Sequence, residues 1–154
     1  MIFSEILVTT DFSPAAKVAY DLATYQAKAV GADLTLVSVF PPFELPAVLQ
    51  RQINDPESLQ RLKEEYDLEM NKRVAELAKE AFHRQDVKAV ALFDSSPAKA
   101  ITHYAKENGV SLIVIASHGR GSLKTLFLGT TTQKVIQSAE CPVLVIPSLE
   151  DETA

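Results

Sequence analysis

Apolar runs alternate with amphipathic stretches along nearly the whole chain. The five apolar runs that predict strands are residues 6–8, 34–39, 87–93, 112–115 and 143–146. Continuous apolar runs of this length are typical of strands covered on both faces, as in a parallel sheet. The run 87–93 has the weakest pattern, because Lys88 and two alanines dilute its β-branched content.

Between these runs, apolar residues recur every three or four positions, which is the spacing of one helix face. The predicted helices begin at Pro14, near Leu59, at Pro97 and after Thr132, and they run to Gly31, Ala81, Gly109 and Pro142. Ser13 before Pro14 and Ser96 before Pro97 have the pattern of a helix N-cap followed by a first-turn proline. The last helix carries Val135, Ile136 and Ala139 as its apolar residues.

Strands alternating with helices predict an α/β fold with right-handed crossovers. We expect one domain over residues 1–148, with an acidic tail at 149–154. Its sheet would be an open, doubly wound, Rossmann-like parallel sheet of five strands in the order 3-2-1-4-5, with helices on both faces. Ligands of such sheets bind beyond the strand C-termini where the strand order reverses. That point lies between the ends of the first and fourth strands.

Residues 41–57 form the one long connection without a clear pattern, and prolines near its start disfavour a helix there. The segment has two interpretations. It is either a mobile surface loop or, because it leaves the C-terminal end of the second strand, a lid over the crevice.

The segment after the fourth strand has the composition of a phosphate-binding loop. Gly119 and Gly121 let backbone N–H groups approach an anion, and residues 129–131 (GTT) lie where a helix begins. Arg120 and Lys124 add two cations. Neither a P-loop motif nor a G-x-G-x-x-G dinucleotide motif is present.

This segment resembles the nucleotide-binding signature of universal stress proteins, G-x-x-G, nine residues, then G-[ST]. Gly119, the nine residues 120–128, Gly129 and Thr130 have that spacing, and Ala116 stands in place of the first glycine. The opening ILVTTDFSP is similar to the first strand and loop of the family, and ECPVLVIP to its last strand. The resemblance covers nearly the whole chain and is weakest over residues 41–95.

The resemblance implies ATP as the ligand, with Mg²⁺ as a possible companion. It assigns Asp11 to the ribose or a magnesium ion, and the main chain of Val39 to adenine. It assigns the ribose and phosphates to Ala116, Gly119, Gly129, Thr130 and Thr131. With the strand ends and the loop cation added, the expected cofactor-binding residues are Thr9, Thr10, Asp11, Val39, Ile115, Ala116, Gly119, Arg120, Gly129, Thr130 and Thr131.

Several of these residues also have a purely structural interpretation. Asp11 can bend the turn into the first helix, and Gly129 with Thr130 can serve only as an N-cap. His118 lacks a carboxylate or nucleophile at a clear spacing, so a structural hydrogen bond is favoured over catalysis. Cys141 is expected to be a small buried hydrophobe. The three histidines and the cysteine show no metal-ligand spacing.

The last strand, Val143–Ile146, is apolar on both faces although the fold places it at a sheet edge. An exposed apolar edge promotes aggregation unless it is covered. A two-fold mate pairing antiparallel through the same strand would cover it, and the resemblance implies a homodimer of this kind.

Bulk properties exclude some classes of protein. A net charge of −5 and a pI of about 5.2 argue against a general nucleic-acid binder. The N-terminus has no signal-peptide pattern, and no apolar run is long enough for membrane insertion. A single cysteine is compatible with a reducing compartment, so we expect a cytoplasmic location.

Three functions remain open. The first is an ATP-binding regulatory protein of the stress response whose nucleotide state is read by a protein partner that the sequence does not identify. The second is a slow ATPase on the same fold, and the third is an ATP-free dimeric stress protein. No general base with a nearby activated nucleophile is evident, so no catalytic residue is predicted.

Overall fold

The computed structural model describes residues 3–53, 55–82, 86–118 and 128–147 of the chain. Its elements are, in chain order, β1 (Glu5–Thr10), α1 (Pro14–Val30), β2 (Asp33–Phe40), α2 (Ala47–Gln50), α3 (Pro56–Ala81), β3 (Lys88–Phe93), α4 (Pro97–Glu107), β4 (Leu112–Ala116), α5 (Thr130–Ser138) and β5 (Val143–Ile146). His83 and the predicted acidic tail at 149–154 lie outside the described residues.

The five strands form one parallel sheet in the order β3-β2-β1-β4-β5, which confirms the expected strand order. β1 is central and pairs with β2 on one side and β4 on the other. β5 pairs with β4 and forms one edge of the sheet.

The two faces of the sheet bury separate cores because side chains alternate along each strand. In β1, Ile6 and Val8 pack with α1 and α3, whereas Leu7 points to the opposite face and packs with α4 and α5. β4 alternates in the same way, with Val114 on the first face and Ile113 on the second. The helices therefore cover both faces, as expected for a doubly wound sheet.

Local capping explains where the helices begin and end. The Ser13 side chain accepts a hydrogen bond from the amide of Ala16, and Pro14 occupies the first turn of α1. α1 ends at Gly31, whose φ of 69° is left-handed and therefore suits glycine. α3 begins in the same manner, with Asp55 Oδ1 accepting from Ser58 N at 2.9 Å.

The structure corrects the expectation for residues 41–57. The segment is not one irregular connection, because it contains the four-residue helix α2, and α3 begins within it at Pro56. Its first residues are held against α3: Tyr66 Oη donates to Pro41 O at 2.9 Å, and the ring centroids of Phe43 and Tyr66 are 5.7 Å apart. These contacts order the start of the segment.

Two smaller boundaries also differ from the prediction. α5 begins at Thr130, so Thr130 and Thr131 form its first turn and do not precede it. Ile136, predicted to lie on its apolar face, is 43% exposed, whereas Val135 is fully buried. β3 begins at Lys88, one residue later than the apolar run suggested.

Within the described ranges, none of the helices combines the length and apolar character needed to cross a bilayer.

Replacement of the central core residue Leu7 tests the two-sided packing. Leu7 is fully buried, so Leu7→Ala should lower the free energy of unfolding by about 2–5 kcal/mol, measured by urea denaturation. Leu68→Ala is the matched control, because Leu68 is 71% exposed on α3 and its loss should change stability by less than about 0.5 kcal/mol. Equal effects of the two substitutions would contradict the described core.

Candidate functional site

The two strands that flank the reversal of strand order separate near their C-terminal ends. β1 pairs with β2 as far as Thr10 and Ser38, but it pairs with β4 only as far as Val8 and Val114. The last residues of β1 and β4 are therefore no longer joined by the ladder. This divergence opens a crevice at the place where doubly wound sheets bind ligands.

The crevice is a cavity of about 490 Å³. Its lining comes from the C-terminal halves of β1, β2 and β4, from residues that follow β1 and β4, from the first two turns of α1, α4 and α5, and from the residues just before α5. The lining residues are Thr9, Thr10, Asp11, Ala16, Val37, Val39, Pro97, Ile101, Ile115, Ala116, His118, Leu128, Gly129, Thr130, Thr131 and Thr132.

One side of the cavity is apolar. Val37 and Val39 reach it from β2, Ile115 from β4, and Pro97 and Ile101 from α4. All of them except Pro97 lie on the α4 and α5 face of the sheet and pack with that core. A wall of this kind suits a flat, weakly polar group, with the polar groups that fix its orientation placed elsewhere.

The polar side begins with the turn after β1, which is held by hydrogen bonds around Thr10. The Thr10 carbonyl accepts from Ser38 Oγ at 2.9 Å, and Thr10 Oγ1 accepts from Phe12 N at 3.0 Å. Thr10 Oγ1 also lies 2.5 Å from the hydroxyl of the buried Tyr20 in α1. The turn is thus fixed to β2 and α1 at once.

Asp11 follows Thr10 in this turn and lies in the cavity wall. Its Oδ1 accepts a hydrogen bond from Ser13 N at 2.9 Å, so the carboxylate also bends the chain into α1. The structural role considered for Asp11 is therefore present, and it coexists with a position facing the cavity.

The opposite side of the cavity is formed where α5 meets the end of β4. Gly129 N donates to Ser117 O at 2.8 Å, and Thr132 Oγ1 donates to Ala116 O at 3.0 Å. A Cβ on Gly129 would lie 3.3 Å from Ser117 O, a contact tight enough that the neighbouring backbone would have to move. These contacts bring the first turn of α5, with its unpaired N–H groups, to the mouth of the cavity.

His118 also lines the cavity, and its Nδ1 lies 2.8 Å from Ser117 Oγ. This hydrogen bond is of the structural kind that the sequence favours for His118. His103 is exposed on α4.

Burial changes the acidity of two groups. Burial raises the pKa of Tyr20 above its ordinary value of 10.0; the hydrogen bond with Thr10 opposes this effect, and the negative charge of Asp11 adds to it. Burial also raises the pKa of the Cys141 thiol. Cys141 is only partly buried, but it packs against the α4 and α5 core, as expected of a small hydrophobe.

The structure brings nine of the eleven expected residues to this one cavity: Thr9, Thr10, Asp11, Val39, Ile115, Ala116, Gly129, Thr130 and Thr131. Gly119 and Arg120, with the neighbouring Gly121 and Lys124, lie outside the described residues.

Several lining residues are not among those expected from the sequence, including Ala16, Val37, Pro97, Ile101 and Thr132. Pro97 and Thr132 could have been predicted to line the cavity, because each lies near the start of a helix that follows a strand C-terminus. Val37 and Ile101 had none, since an apolar side chain facing a cavity has the same periodicity as one facing the core.

Among the residues of the four described ranges, no three His, Cys, Asp or Glu side chains form a group suited to a metal ion. Asp11 is the carboxylate that lies in the cavity wall. One carboxylate suits Mg²⁺ held mainly by water and phosphate, but it does not by itself form a metal site.

Comparisons with known proteins agree with one another. A sequence model of the Universal stress protein family matches residues 3–147. The chain is 33% identical over 147 residues to universal stress protein YxiE of Bacillus subtilis, covering 94% of this chain and 99% of that protein. Universal stress protein UspA from Lactobacillus plantarum has a similar structure, with a TM-score of 0.68 and 26% identity over 95% of this chain and 99% of that one.

Two further solved structures contain nucleotides. One is a universal stress protein in complex with cAMP, with a TM-score of 0.64 and 19% identity over 97% of this chain and all of that one. The other is a universal stress protein from Archaeoglobus fulgidus in complex with dAMP, with a TM-score of 0.58 and 23% identity. The match covers 95% of this chain and 99% of that one. At these identities, the likeness to this chain is one of fold.

Removal of the Tyr20 hydroxyl tests the network around Thr10. Tyr20→Phe should lower the free energy of unfolding near neutral pH by about 1 kcal/mol, because a buried hydrogen bond is lost. The pKa of Tyr20 is raised in the folded state, so its contribution is fully present below pH 10.0 and is lost as pH rises through the folded pKa. The difference between wild type and Tyr20→Phe, measured by urea denaturation, should therefore shrink above pH 10.0.

The control is Tyr25→Phe, which removes the hydroxyl of a tyrosine that is 68% exposed on the same helix. It should change stability by less than about 0.5 kcal/mol near neutral pH. A wild type that keeps its full advantage over Tyr20→Phe above pH 10.0 would contradict the burial of this phenol.

Proposed function

The chain belongs to the universal stress protein family, and from that premise we propose that it is a regulatory protein of the stress response that binds ATP in the crevice between β1 and β4. The observation that carries this proposal is the convergence of nine expected residues on one cavity with an apolar wall and a polar mouth. A nucleotide likewise has a flat, weakly polar base at one end and charged phosphates at the other.

The apolar wall is the part of the cavity suited to adenine. Val39 and Ile115 come from strands on opposite sides of β1, and both line the cavity. A base inserted between them would be covered on both faces, as the aromatic parts of buried ligands are. The main chain at Val39, near the end of β2, would supply polar contacts to the base edge.

The first turn of α5 is the part suited to phosphate. Gly129 has no Cβ to crowd Ser117 O, and it lines the cavity together with Thr130 and Thr131 at the start of α5. Amides at a helix N-terminus bind phosphate through unpaired N–H groups and the helix dipole. Thr130 and Thr131 add hydroxyl donors at the same position.

Asp11 would complete the site at the ribose or at a magnesium ion carried by the phosphates. Magnesium bound with nucleotides commonly takes one carboxylate and several waters from its surroundings, and Asp11 in the cavity wall fits this requirement. Gly119 and Arg120 keep the phosphate-binding roles that the sequence suggests for them.

The nucleotides in two related structures support a nucleotide ligand, because cAMP and dAMP share an adenine ring and a ribose-type sugar with ATP. They do not specify the triphosphate. ATP in particular is supported by the spacing of Gly119 from Gly129 and Thr130, and by the cations Arg120 and Lys124.

A regulatory role follows if the bound nucleotide is long-lived. Fast hydrolysis requires a group that orients the attacking water, whereas His118 in the cavity wall is engaged in a hydrogen bond with Ser117 that favours a structural role. We therefore propose that nucleotide occupancy is read by a protein partner in the cytoplasm. A slow ATPase on the same site is the alternative.

ATP with Mg²⁺ should raise the melting temperature of the wild type. At a ligand concentration of about 100 times Kd, binding adds about 2.7 kcal/mol to stability, which corresponds to roughly 5–10 °C for a chain of this size. Gly129→Val should abolish this rise, because its side chain would crowd Ser117 O and the phosphate position. The measurement is differential scanning fluorimetry of each variant with and without ATP and Mg²⁺.

Two threonine variants serve as a matched pair in the same assay. Thr130→Val removes a hydroxyl at the cavity mouth and should reduce the rise, whereas Thr102→Val removes a hydroxyl bonded to its own helix α4 and should leave it unchanged. Binding of ATP to Gly129→Val at wild-type affinity would refute this site.

We also propose a homodimer through β5. All four residues of Val143–Ile146 are only partly buried, and the strand pairs with β4 on one side. Antiparallel pairing with the same strand of a second copy would satisfy its outer backbone groups and cover its apolar side chains.

Light scattering should give a mass about twice the 16.8 kDa of the chain. Val145→Asp should shift the mass toward one chain, because a buried interface would acquire an unpaired charge. Val48→Asp is the matched control, since Val48 is 73% exposed on α2 and its substitution should leave the dimer intact. A monomeric wild type at high micromolar concentration would overturn the proposal.

A further inference from the structure

Phe12 has an unusual backbone conformation for its residue type. Its φ of 64° lies in the left-handed region. Among the described residues, no other non-glycine residue has a positive φ. Bulky side chains rarely adopt this conformation, because Cβ then crowds the neighbouring carbonyl. Such a conformation persists only where the surrounding structure imposes it, and it is common near functional sites.

The packing around the Phe12 ring explains why the conformation is retained. The ring lies 5.9 Å from that of Phe40 at the end of β2, and the Arg73 guanidinium of α3 lies 5.1 Å from the Phe12 centroid. The same guanidinium is 5.9 Å from the Phe40 centroid, so one cation contacts both rings. Phe12 thus packs against the α1 and α3 core and is not among the residues that line the cavity.

The residues on either side of Phe12 connect this anchor to the cavity. Asp11 Oδ1 accepts from Ser13 N at 2.9 Å, which closes a ring of atoms that includes the Phe12 backbone. Phe12 N donates in turn to Thr10 Oγ1. The torsion angles of Phe12 therefore determine where the Ser13 amide lies relative to Asp11, and with it the direction of the carboxylate.

We propose that Phe12 is a positioning residue for the nucleotide site: its ring, held by Phe40 and Arg73, maintains the left-handed turn that aims the Asp11 carboxylate at the cavity. The inference deepens the proposed function and rests on it for the ligand. Through Arg73, α3 would then contribute to nucleotide binding, although none of the described cavity-lining residues belongs to that helix.

The first experiment needs no ligand. The exchange rate of the Ser13 amide hydrogen, measured by NMR on the free protein, reports the Asp11–Ser13 hydrogen bond. Phe12→Ala should raise this rate at least about tenfold, because the turn relaxes once the ring is lost. Phe12→Tyr retains the ring and should restore the wild-type rate.

A milder variant and its control test the same hydrogen bond in case Phe12→Ala does not fold. Arg73→Met retains the aliphatic contact but removes the cation, and it should give a smaller rise in the Ser13 rate. Lys72→Met removes the neighbouring exposed cation, which pairs with Glu76, and should give none. An unchanged Ser13 rate in both Phe12→Ala and Arg73→Met would overturn the positioning role.

The second experiment is a double-mutant cycle on the Kd for ATP with Mg²⁺. Asp11→Asn removes the charge but keeps an oxygen for Ser13, and Phe12→Ala should weaken binding about as much as Asp11→Asn does. Together they should weaken it less than about twofold further, because both remove the same aimed carboxylate. Fully additive effects of Asp11→Asn and Phe12→Ala on Kd would contradict the positioning role. A lower melting temperature of Phe12→Ala with an unchanged Kd would also contradict it, because Phe12 would then contribute to stability alone.

Failure of the proposed function would look different. A wild type that binds no ATP while the Ser13 rate still responds to Phe12→Ala would contradict ATP binding but support the fixed turn. A wild type that binds ATP with no Ser13 response would contradict only the positioning role.

Discussion

The reversal of strand order at β1 is the constraint on which the rest of the structure depends. Right-handed crossovers place α1 and α3 on one face as the chain proceeds outward from β1 through β2 to β3. The chain then returns to the other side of β1, and the same handedness places α4 and α5 on the opposite face. The connections after β1 and β4 therefore leave in opposite directions, and the cavity opens between them.

The polar side of this cavity consists of groups that the fold leaves exposed at strand ends and helix starts. Parallel strands end at one edge with unpaired polar groups, and helix N-termini begin there with unpaired amides. In this chain the close approach of Gly129 to Ser117 and the hydrogen bonds around Thr10 hold the two sides of the cavity in place.

Much of this arrangement could be predicted from the sequence, because strand runs, capping residues and loop glycines are local signals. The alternation of strands and helices follows from them, and the strand order is the simplest doubly wound arrangement of five such strands. The site roles expected of Asp11, Ala116 and Gly129 come from the family resemblance, and the structure places all three in one cavity. The helix α2 could not be predicted, since four residues after three prolines are too few to show a helical period. The left-handed conformation of Phe12 could not be predicted either, because it depends on contacts with Phe40 and Arg73, which are distant in sequence.

The central claim is that the cavity selects ATP, and competition among nucleotides tests it most directly. Native mass spectrometry of the purified protein, equilibrated with equal amounts of ATP, cAMP and dAMP in the presence of Mg²⁺, would identify the occupant of each 16.8 kDa chain. The account predicts one ATP per chain, because the α5 N-terminus and the loop cations favour three phosphates over one. Chains that remain free of nucleotide, or that retain cAMP or dAMP in preference to ATP, would contradict it.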